Sequence, residues 1–472
     1  MLGNRRHGGR DVESGGLLPS SWSTSSFKSH RRQRSVFHYV IALCCLVVVS
    51  TVFLSSFSSE RNQPRQWAAA GVHHRKSKTF VTEFDASVSH DKGIVMCMHN
   101  GVVPMGLSLV KELRCLGNQE LIQVYHCFPD EISEASRALL LAADARLEIV
   151  DVCSDLVDRG LLKREVAEQF RSWWIKPLAL YHTDIKEVLL MDVDDVFLSD
   201  PAVLRSTDGY KRTGTTFFYD RVLSSREWFN QEVNNSTYLK TLLNEFDYES
   251  FGLTAGVQIP DNLKRSYAYK EEASHEQDSS LVAVDKSRAG QAMTVMFWLI
   301  TVQRFEREFS YGDKETFWIA YALAKQEYFF SPWGPSVIES SRNQDMKNHP
   351  DSLCGSLAHF MPVVDEKPEL LYVNGKALLD PFPEGLHNRG KASANVLYNP
   401  TPSYVTPRQN RRPNGGTATS YDGEFPMECL IGFGATPLPT NFAPQLLRRR
   451  MFYLGIRMDA VGAEIKTNML PQ

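Results

Sequence analysis

The chain has 472 residues, 43% of them apolar and 23% charged, with a net charge of -3. These values exclude a wholly disordered chain, and the slight negative balance gives no footing for nucleic-acid binding. The charge is uneven: residues 1–34 carry seven Lys/Arg against Asp11 and Glu13, a net +5, which leaves -8 on the remainder.

Residues 1–34 are rich in Gly, Ser and Arg, lack hydrophobic periodicity, and read as a disordered basic cytosolic tail. Val36–Leu54 follows, 19 residues without Lys, Arg, Asp or Glu. As a helix this run is long enough to cross a bilayer core of about 30 Å. It is too long for a signal-peptide core, begins late, and has no small-residue cleavage site directly after it. Residues 35–57 therefore read as one transmembrane signal anchor rather than a cleaved leader. Arg31, Arg32 and Arg34 precede the span, while Arg61, Arg65, Arg75, Lys76 and Lys78 follow it. The positive-inside rule thus favours a cytosolic N-terminus by a narrow margin. Overlapping glycosylation sequons at Asn234 and Asn235 agree, because they are used only on the luminal side. Residues 58–90 read as a polar luminal stem, and residues 91–472 as the folded domain. Cys97, Cys115, Cys127, Cys153, Cys354 and Cys429 fall in that domain, where disulfides persist. Six cysteines allow 15 pairings and the spacing does not choose. Cys97 and Cys127, inside apolar runs, also read as buried thiols.

Gly93–Met98 is a short continuous apolar run, the pattern of a strand buried on both faces. Leu107, Val110, Leu113 and Leu116 give a helix over 104–116. A strand over 121–128, a helix over 133–143 and a strand at Leu147–Val150 follow. This β-α-β-α-β rhythm predicts a parallel sheet with crossover helices. Residues 163–183 read as a helix containing Trp173, Trp174 and Lys176. A buried strand, Val188–Met191, then runs into Asp192-Val193-Asp194-Asp195. The pattern loosens after residue 230, and residues 261–279 are highly polar. A strand at 281–284, helices over 291–303 and from Asp313, and a flexible loop over about 388–425 complete the reading. The last 45 residues are ambiguous.

Asp192 and Asp194 carry the sharpest chemistry. In open α/β sheets ligands sit at the carboxyl ends of strands. Two carboxylates at i and i+2 on a turn leaving the sheet can approach one divalent cation, and Mn²⁺ and Mg²⁺ favour such hard oxygen ligands together with substrate phosphates. A cation held there neutralises a diphosphate leaving group, as a nucleotide-sugar transferase requires. A bare Asp-x-Asp is more often a turn former. Three aspartates in four residues, straight after an apolar strand in a β-α-β chain, reverse those odds.

The stretch from Lys176-Pro-Leu-Ala-Leu-Tyr to Met191-Asp-Val-Asp-Asp-Val-Phe-Leu-Ser-Asp200-Pro201 resembles the fungal-type alpha-mannosyltransferase family of the Golgi. Glu276–Ser279, Val284–Ser287 and Tyr311-Gly-Asp-Lys-Glu-Thr-Phe-Trp318 fit the same family. The resemblance covers roughly residues 92–380. It implies a GT-A (Rossmann-like) domain, transfer of mannose from GDP-mannose to a glycan acceptor with retention of configuration, and Mn²⁺ or Mg²⁺ as helper. It implies metal binding by Asp192 and Asp194, nucleotide contact at Met98, His99 and Asn100, and diphosphate contact or strand positioning by Lys176. Asp278, Ser279, Asp313 and Glu315 would border the sugar and acceptor. Many retaining GT-A enzymes add a late His as third metal ligand, followed by Gly and Lys for phosphate, the nucleotide-sugar role that the resemblance implies for Gly375 and Lys376. Here Asn374-Gly375-Lys376 stands in that place without a His, so Asn374, or His359 or His387 from elsewhere, would be the third ligand.

Plainer readings stand beside these. Asp313 sits where a helix N-cap is expected. Lys286 and Lys376 read as solvated lysines, and Trp173 and Trp174 as core residues or sugar-ring platforms. His275, His349 and His359 read as structural, and 343–349 as a surface loop. Two other functions fit: a UDP-sugar-dependent, glycogenin-like transferase of the same fold, and a Golgi carbohydrate-binding protein whose acidic site holds a structural cation. The sequence leaves the acceptor and the oligomeric state open.

Overall fold

In the computed structural model, residues 79–81, 88–340, 351–365, 367–379, 401–413 and 429–469 are described. The apolar span Val36–Leu54, the tail, most of the stem, His349 and His387 lie outside them. No helix among the described residues is long and apolar enough to cross a membrane.

The main sheet has seven strands. β1 (Thr79–Val81), β2 (Lys92–Cys97), β3 (Leu121–His126), β4 (Leu147–Asp151), β5 (Glu187–Met191), β7 (Thr215–Tyr219) and β8 (Gln277–Asp285) lie in the order β1-β4-β3-β2-β5-β8-β7. β6 (Asp195–Phe197) belongs to a second, four-stranded sheet with β9 (Ser336–Val337), β10 (Leu357–Phe360) and β11 (Leu370–Asn374), in the order β9-β10-β11-β6. β2, β3, β4 and β5 run parallel, while β8 is antiparallel to both β5 and β7. Parallel β-α-β pairing is what the apolar runs predicted. β1 falls inside the expected stem and pairs antiparallel with β4, so strand structure begins before Lys92.

The strand period of two sorts side chains into two cores. Val95, Val188, Leu190, Val282 and Val284 face one, with α3 (Ile175–His182), α4 (Ala292–Trp298) and α5 (Thr316–Leu323) packed over it. Ile94, Met96, Leu189, Met191, Leu281 and Ala283 face the other, beneath α1 (Val103–Cys115) and α2 (Glu134–Ala143). Both faces are covered, which is why the central strands lack polar alternation.

Several expectations are corrected. The helix over 163–183 is broken: a short helix at Arg164–Ala167 ends in a turn, and α3 restarts at Ile175. Pro177 explains the restart, since its ring is tolerated only in a first helical turn. β8 extends back to Gln277, so part of the polar stretch is buried strand. The ambiguous C-terminus is one long helix, α6 (Phe442–Met469), lying against α1. Within the expected flexible loop, Tyr404–Val405 pairs with Thr436–Pro437, and Val405 and Thr406 are buried. Cys127 is no free thiol: it pairs with Cys153, as Cys354 does with Cys429, while Cys97 and Cys115 are free.

Candidate active site

Strand direction brings the candidate residues to one edge. β2 and β5 end there, at His99 and Asp192. Antiparallel β8 begins there with Gln277 and Asp278, and β7 ends there at Tyr219, next to Asp220.

The Asp192–Asp194 turn is pinned on both sides. The Asp192 amide donates to the Ser280 carbonyl at 2.8 Å. β6 starts at Asp195 and its pairing with β11 sets Asn374 opposite Asp195. The Asn374 amide then donates to Asp194 at 3.3 Å and to Asp195 at 3.0 Å, and the Lys376 backbone N–H supports the Asp194 carboxylate. Val193 points the opposite way and packs among the buried residues beneath the turn.

Lys176, in the first turn of α3, is buried. Its ammonium lies 2.9 Å from Asp192 and 3.1 Å from Asp313, and donates to Ser279 Oγ at 3.1 Å. Burial works against that charge, but Asp192 and Asp313 outweigh it and hold the lysine protonated above its ordinary range. Asp313 is therefore not the expected cap. Glu315 holds the N-cap position of α5, and the Asp313 carboxylate turns to Lys176.

A second cluster adjoins the first: the resemblance marks Asp278 within it, His275 and His359 read as structural, and Asp220 carries no mark in the sequence. Asp220 is ion-paired with Lys314 and lies 3.3 Å from His275. Burial raises its carboxyl, but Lys314, His275 and Arg221 outweigh burial and hold it well below the usual carboxylate range. Asp278 accepts from His359 at 2.8 Å and from Ser280 at 2.6 Å. His359 is thus committed to Asp278 and stacked on Tyr372, away from a ligand role at Asp194.

Other candidates sit less centrally. Met98 is a core residue packed on Gly106. His99 and Asn100 are exposed at the sheet edge, and Asn100 accepts from the Ser133 amide at 2.9 Å. Glu315 lies beneath the site: it is fully buried and accepts from the Glu276 and Gln277 amides and from Trp318 Nε1. Gly375 donates to the Asp194 carbonyl at 3.3 Å, and Lys376 is exposed. Asn234 and Asn235 form the exposed tip of a small hairpin, both at positive φ.

The donor set fits a divalent cation. Asp192, Asp194 and Asp195 stand together with Lys176 as a shared counter-charge. Burial, joined by mutual repulsion at Asp192 and Asp195, raises their carboxyls. Such a site is short of positive charge, and its donors are hard oxygens. Among the described residues no three His, Cys, Asp or Glu side chains form a ligand cluster. The protein would thus supply two carboxylates and, if the Asn374 amide turns its oxygen inward, one more donor.

An α/β sheet offering paired aspartates, a buried lysine and amide donors at its carboxyl edge suits a protein that handles a cation-neutralised phosphate ligand. Over residues 91–360 the chain matches the family described as "Mannosyltransferase putative", and it belongs to that family. It is 27% identical over 340 residues to the "Probable alpha-1,3-mannosyltransferase MNT4" of Saccharomyces cerevisiae, covering 68% of this chain and 55% of the relative. It is 27% identical over 312 residues to "Alpha-1,3-mannosyltransferase MNT3" of the same yeast, covering 61% and 47%. The chain thus spans about half the length of these relatives. A solved structure of the galactosyltransferase LgtC with sugar analogues aligns with a TM-score of 0.30 at 12% identity, over 51% of this chain and 73% of that one, which is too slight to carry an argument.

Proposed function

We propose that the chain is a GT-A glycosyltransferase that moves mannose from GDP-mannose to a glycan acceptor with retention at the anomeric carbon. Membership of the mannosyltransferase family supports the reading, and from the relatives' names we take α-1,3 as the linkage. The observation that carries it is the Lys176 ammonium fixed between Asp192 and Asp313, beside Asp194 at the sheet edge.

Mn²⁺ or Mg²⁺ held by Asp192 and Asp194 would neutralise the departing diphosphate. Lys176 adds a positive charge whose position is set before the donor arrives, so no reorganisation is needed as charge develops. Asn374 and the Lys376 N–H orient Asp194. Asp278, fixed by His359 and Ser280, and Asp313 border the sugar. The acceptor hydroxyl oxygen bonds to the anomeric carbon while the bond to the diphosphate breaks; GDP leaves with that electron pair, and its departing phosphate oxygen takes up the acceptor's hydroxyl proton.

The reading places residues 35–57 across the Golgi membrane, with residues 1–34 cytosolic and the domain luminal. The exposed Asn234–Asn235 turn and the two disulfides support it, since both features belong to the secretory route. Thermal melts with GDP or UDP, with and without Mn²⁺, followed by transfer from GDP-mannose, test the donor. A larger shift with GDP and Mn²⁺ is expected; an equal or larger shift with UDP would move the donor to a UDP-sugar.

A further inference from the structure

Three aromatic side chains stand at the rim of the site, and nothing in the fold requires two of them to be wet. Trp173 is 61% exposed and Tyr311 is 50% exposed. Their ring centroids lie 5.7 Å apart at 37°, and Trp228 meets Tyr311 edge-on at 5.6 Å. Burying large rings is a main source of folding stability, so a tryptophan left mostly in water is an observation to be explained. Gly312 takes a left-handed φ of 64°, and a Cβ there would come within 3.1 Å of the Trp173 ring. The chain thus turns under Trp173, between the exposed Tyr311 and the buried Asp313.

The rim is joined to the chemistry. Trp173 lies three residues before Lys176, and Tyr311 two before Asp313, whose charged groups meet at 3.1 Å. Its inner side is polar: the Lys314 ammonium is 5.8 Å from the Tyr311 ring, and His275, 3.3 Å from Asp220, packs edge-on against Trp228 at 5.5 Å. Flat apolar faces next to charged hydrogen-bonding groups match a pyranose, which has an apolar C–H face and a hydroxyl edge. Sheet order separates this place from the nucleotide end. His99 and Asn100 follow β2 on one side of Asp192, while His275 and Asp220 lie at β8 and β7 on the other.

We propose that Trp173, Tyr311 and Trp228 form the platform for the acceptor sugar, with the partly exposed Lys314 facing its hydroxyls, while buried Asp220 holds that lysine and buried His275 backs Trp228. The inference rests on the transferase reading and assigns the acceptor's side of that site. The nucleobase of the donor, the other flat ligand such rings hold, is distinguished by the same experiment.

Initial rates of mannose transfer from GDP-mannose to methyl α-mannoside would be measured for the full-length wild type, Trp173→Ala, Trp173→Phe and Tyr311→Ala. The Mn²⁺-dependent GDP shift in melting temperature serves as a second readout. Loss of a stacking ring should raise the acceptor KM about tenfold. The donor KM and the GDP shift should stay within about twofold of wild type, and Trp173→Phe should recover most of the loss. An unchanged acceptor KM in both alanine variants, with wild-type transfer intact, overturns the platform and leaves the transferase reading standing. A raised donor KM with an unchanged acceptor KM overturns it in favour of the nucleobase. A wild type that neither binds GDP with Mn²⁺ nor transfers mannose from GDP-mannose sinks the mannosyl-transfer reading on which the platform rests, and the platform falls with it.

Discussion

Arg449, fully buried on α6, donates from Nη2 to the carbonyl of Val193 at 2.7 Å, 256 residues away in sequence. Its other terminal nitrogen bonds the Met105 carbonyl at 2.9 Å and Ser108 Oγ on α1. One guanidinium thus ties the turn between the two metal-site aspartates to two helices. Arg449→Met strands these carbonyls, at about 1–3 kcal/mol for each buried group left unsatisfied. A lower melting temperature is expected, together with about tenfold or more extra Mn²⁺ for half-maximal GDP binding. The neighbouring Arg448 pairs with Glu112 and bonds nothing on the turn. Arg448→Met should lower the melting temperature but leave the Mn²⁺ requirement unchanged. Equal Mn²⁺ requirements in Arg449→Met and wild type, below their melting range, would show that the turn holds its shape unaided.

Lys176 supplies the second prediction. Removing one partner of a buried ion pair strands the other charge and destabilises by about 3–5 kcal/mol. Lys176→Met should therefore melt well below wild type and transfer no sugar. In Lys176→Met with Asp313→Asn one stranded charge is gone, so part of the stability should return while activity does not. Chemical denaturation of wild type, Lys176→Met, Asp313→Asn and the double variant measures the coupling. Additive losses would mean that Lys176 and Asp313 do not act as a pair.

Asp220 sets a pH dependence. Lys314, His275 and Arg221 hold its folded carboxyl well below the usual range, against the opposing effect of burial. As pH falls to about 4 and below, the unfolded chain takes up this proton first, so acid favours unfolding. The stability from Asp220 is fully present above that range and is lost as pH falls through its folded value. Melting temperature followed from pH 6 to pH 3 should fall less steeply in Asp220→Asn than in wild type, from a lower starting value. Identical slopes would place the acid-sensitive group elsewhere.

Much of the sheet was legible because its signal is local. Gly93–Met98 and Val188–Met191 read as two-face-buried strands, and Asp192 and Asp194 follow the second directly, so their place at a strand end could be read from neighbours in the chain. The polar start of β8 was not legible. Asp278 and Ser279 are buried because His359 and Lys176, 81 and 103 residues away, satisfy them, and no local period encodes such partners. Asp313 misled for the same reason: its spacing fits a cap, while its charge partner sits on another helix. Arg449 carries no local mark, being one of three consecutive arginines on α6. The disulfides needed the fold to choose among 15 pairings.

Those pairings give a fourth prediction. Alkylation of the native protein without reductant, then peptide mapping, should leave Cys127 linked to Cys153 and Cys354 to Cys429, with exposed Cys115 alkylated in the native protein and Cys97 more fully once unfolded. Reduction should lower stability, since loss of a native disulfide typically costs about 2–5 kcal/mol. Alkylated Cys127 without reductant would contradict the pairing.

The most direct measurement is the Mn²⁺-dependent GDP shift, followed by mannose transfer, in wild type and Asp194→Ala. In wild type, GDP with Mn²⁺ at about 100 times its dissociation constant should stabilise the fold by about 2.7 kcal/mol. Asp194 stands beside Asp192 and Asp195, and burial raises its carboxyl, so its loss relieves repulsion as it removes the bonds to Asn374 and the Lys376 N–H. Asp194→Ala should therefore melt near wild type in the absence of ligand, show no Mn²⁺-dependent GDP shift, and lose nearly all transfer. A well-folded Asp194→Ala protein that keeps both the shift and substantial transfer would contradict a metal-assisted transferase centred on Asp192 and Asp194.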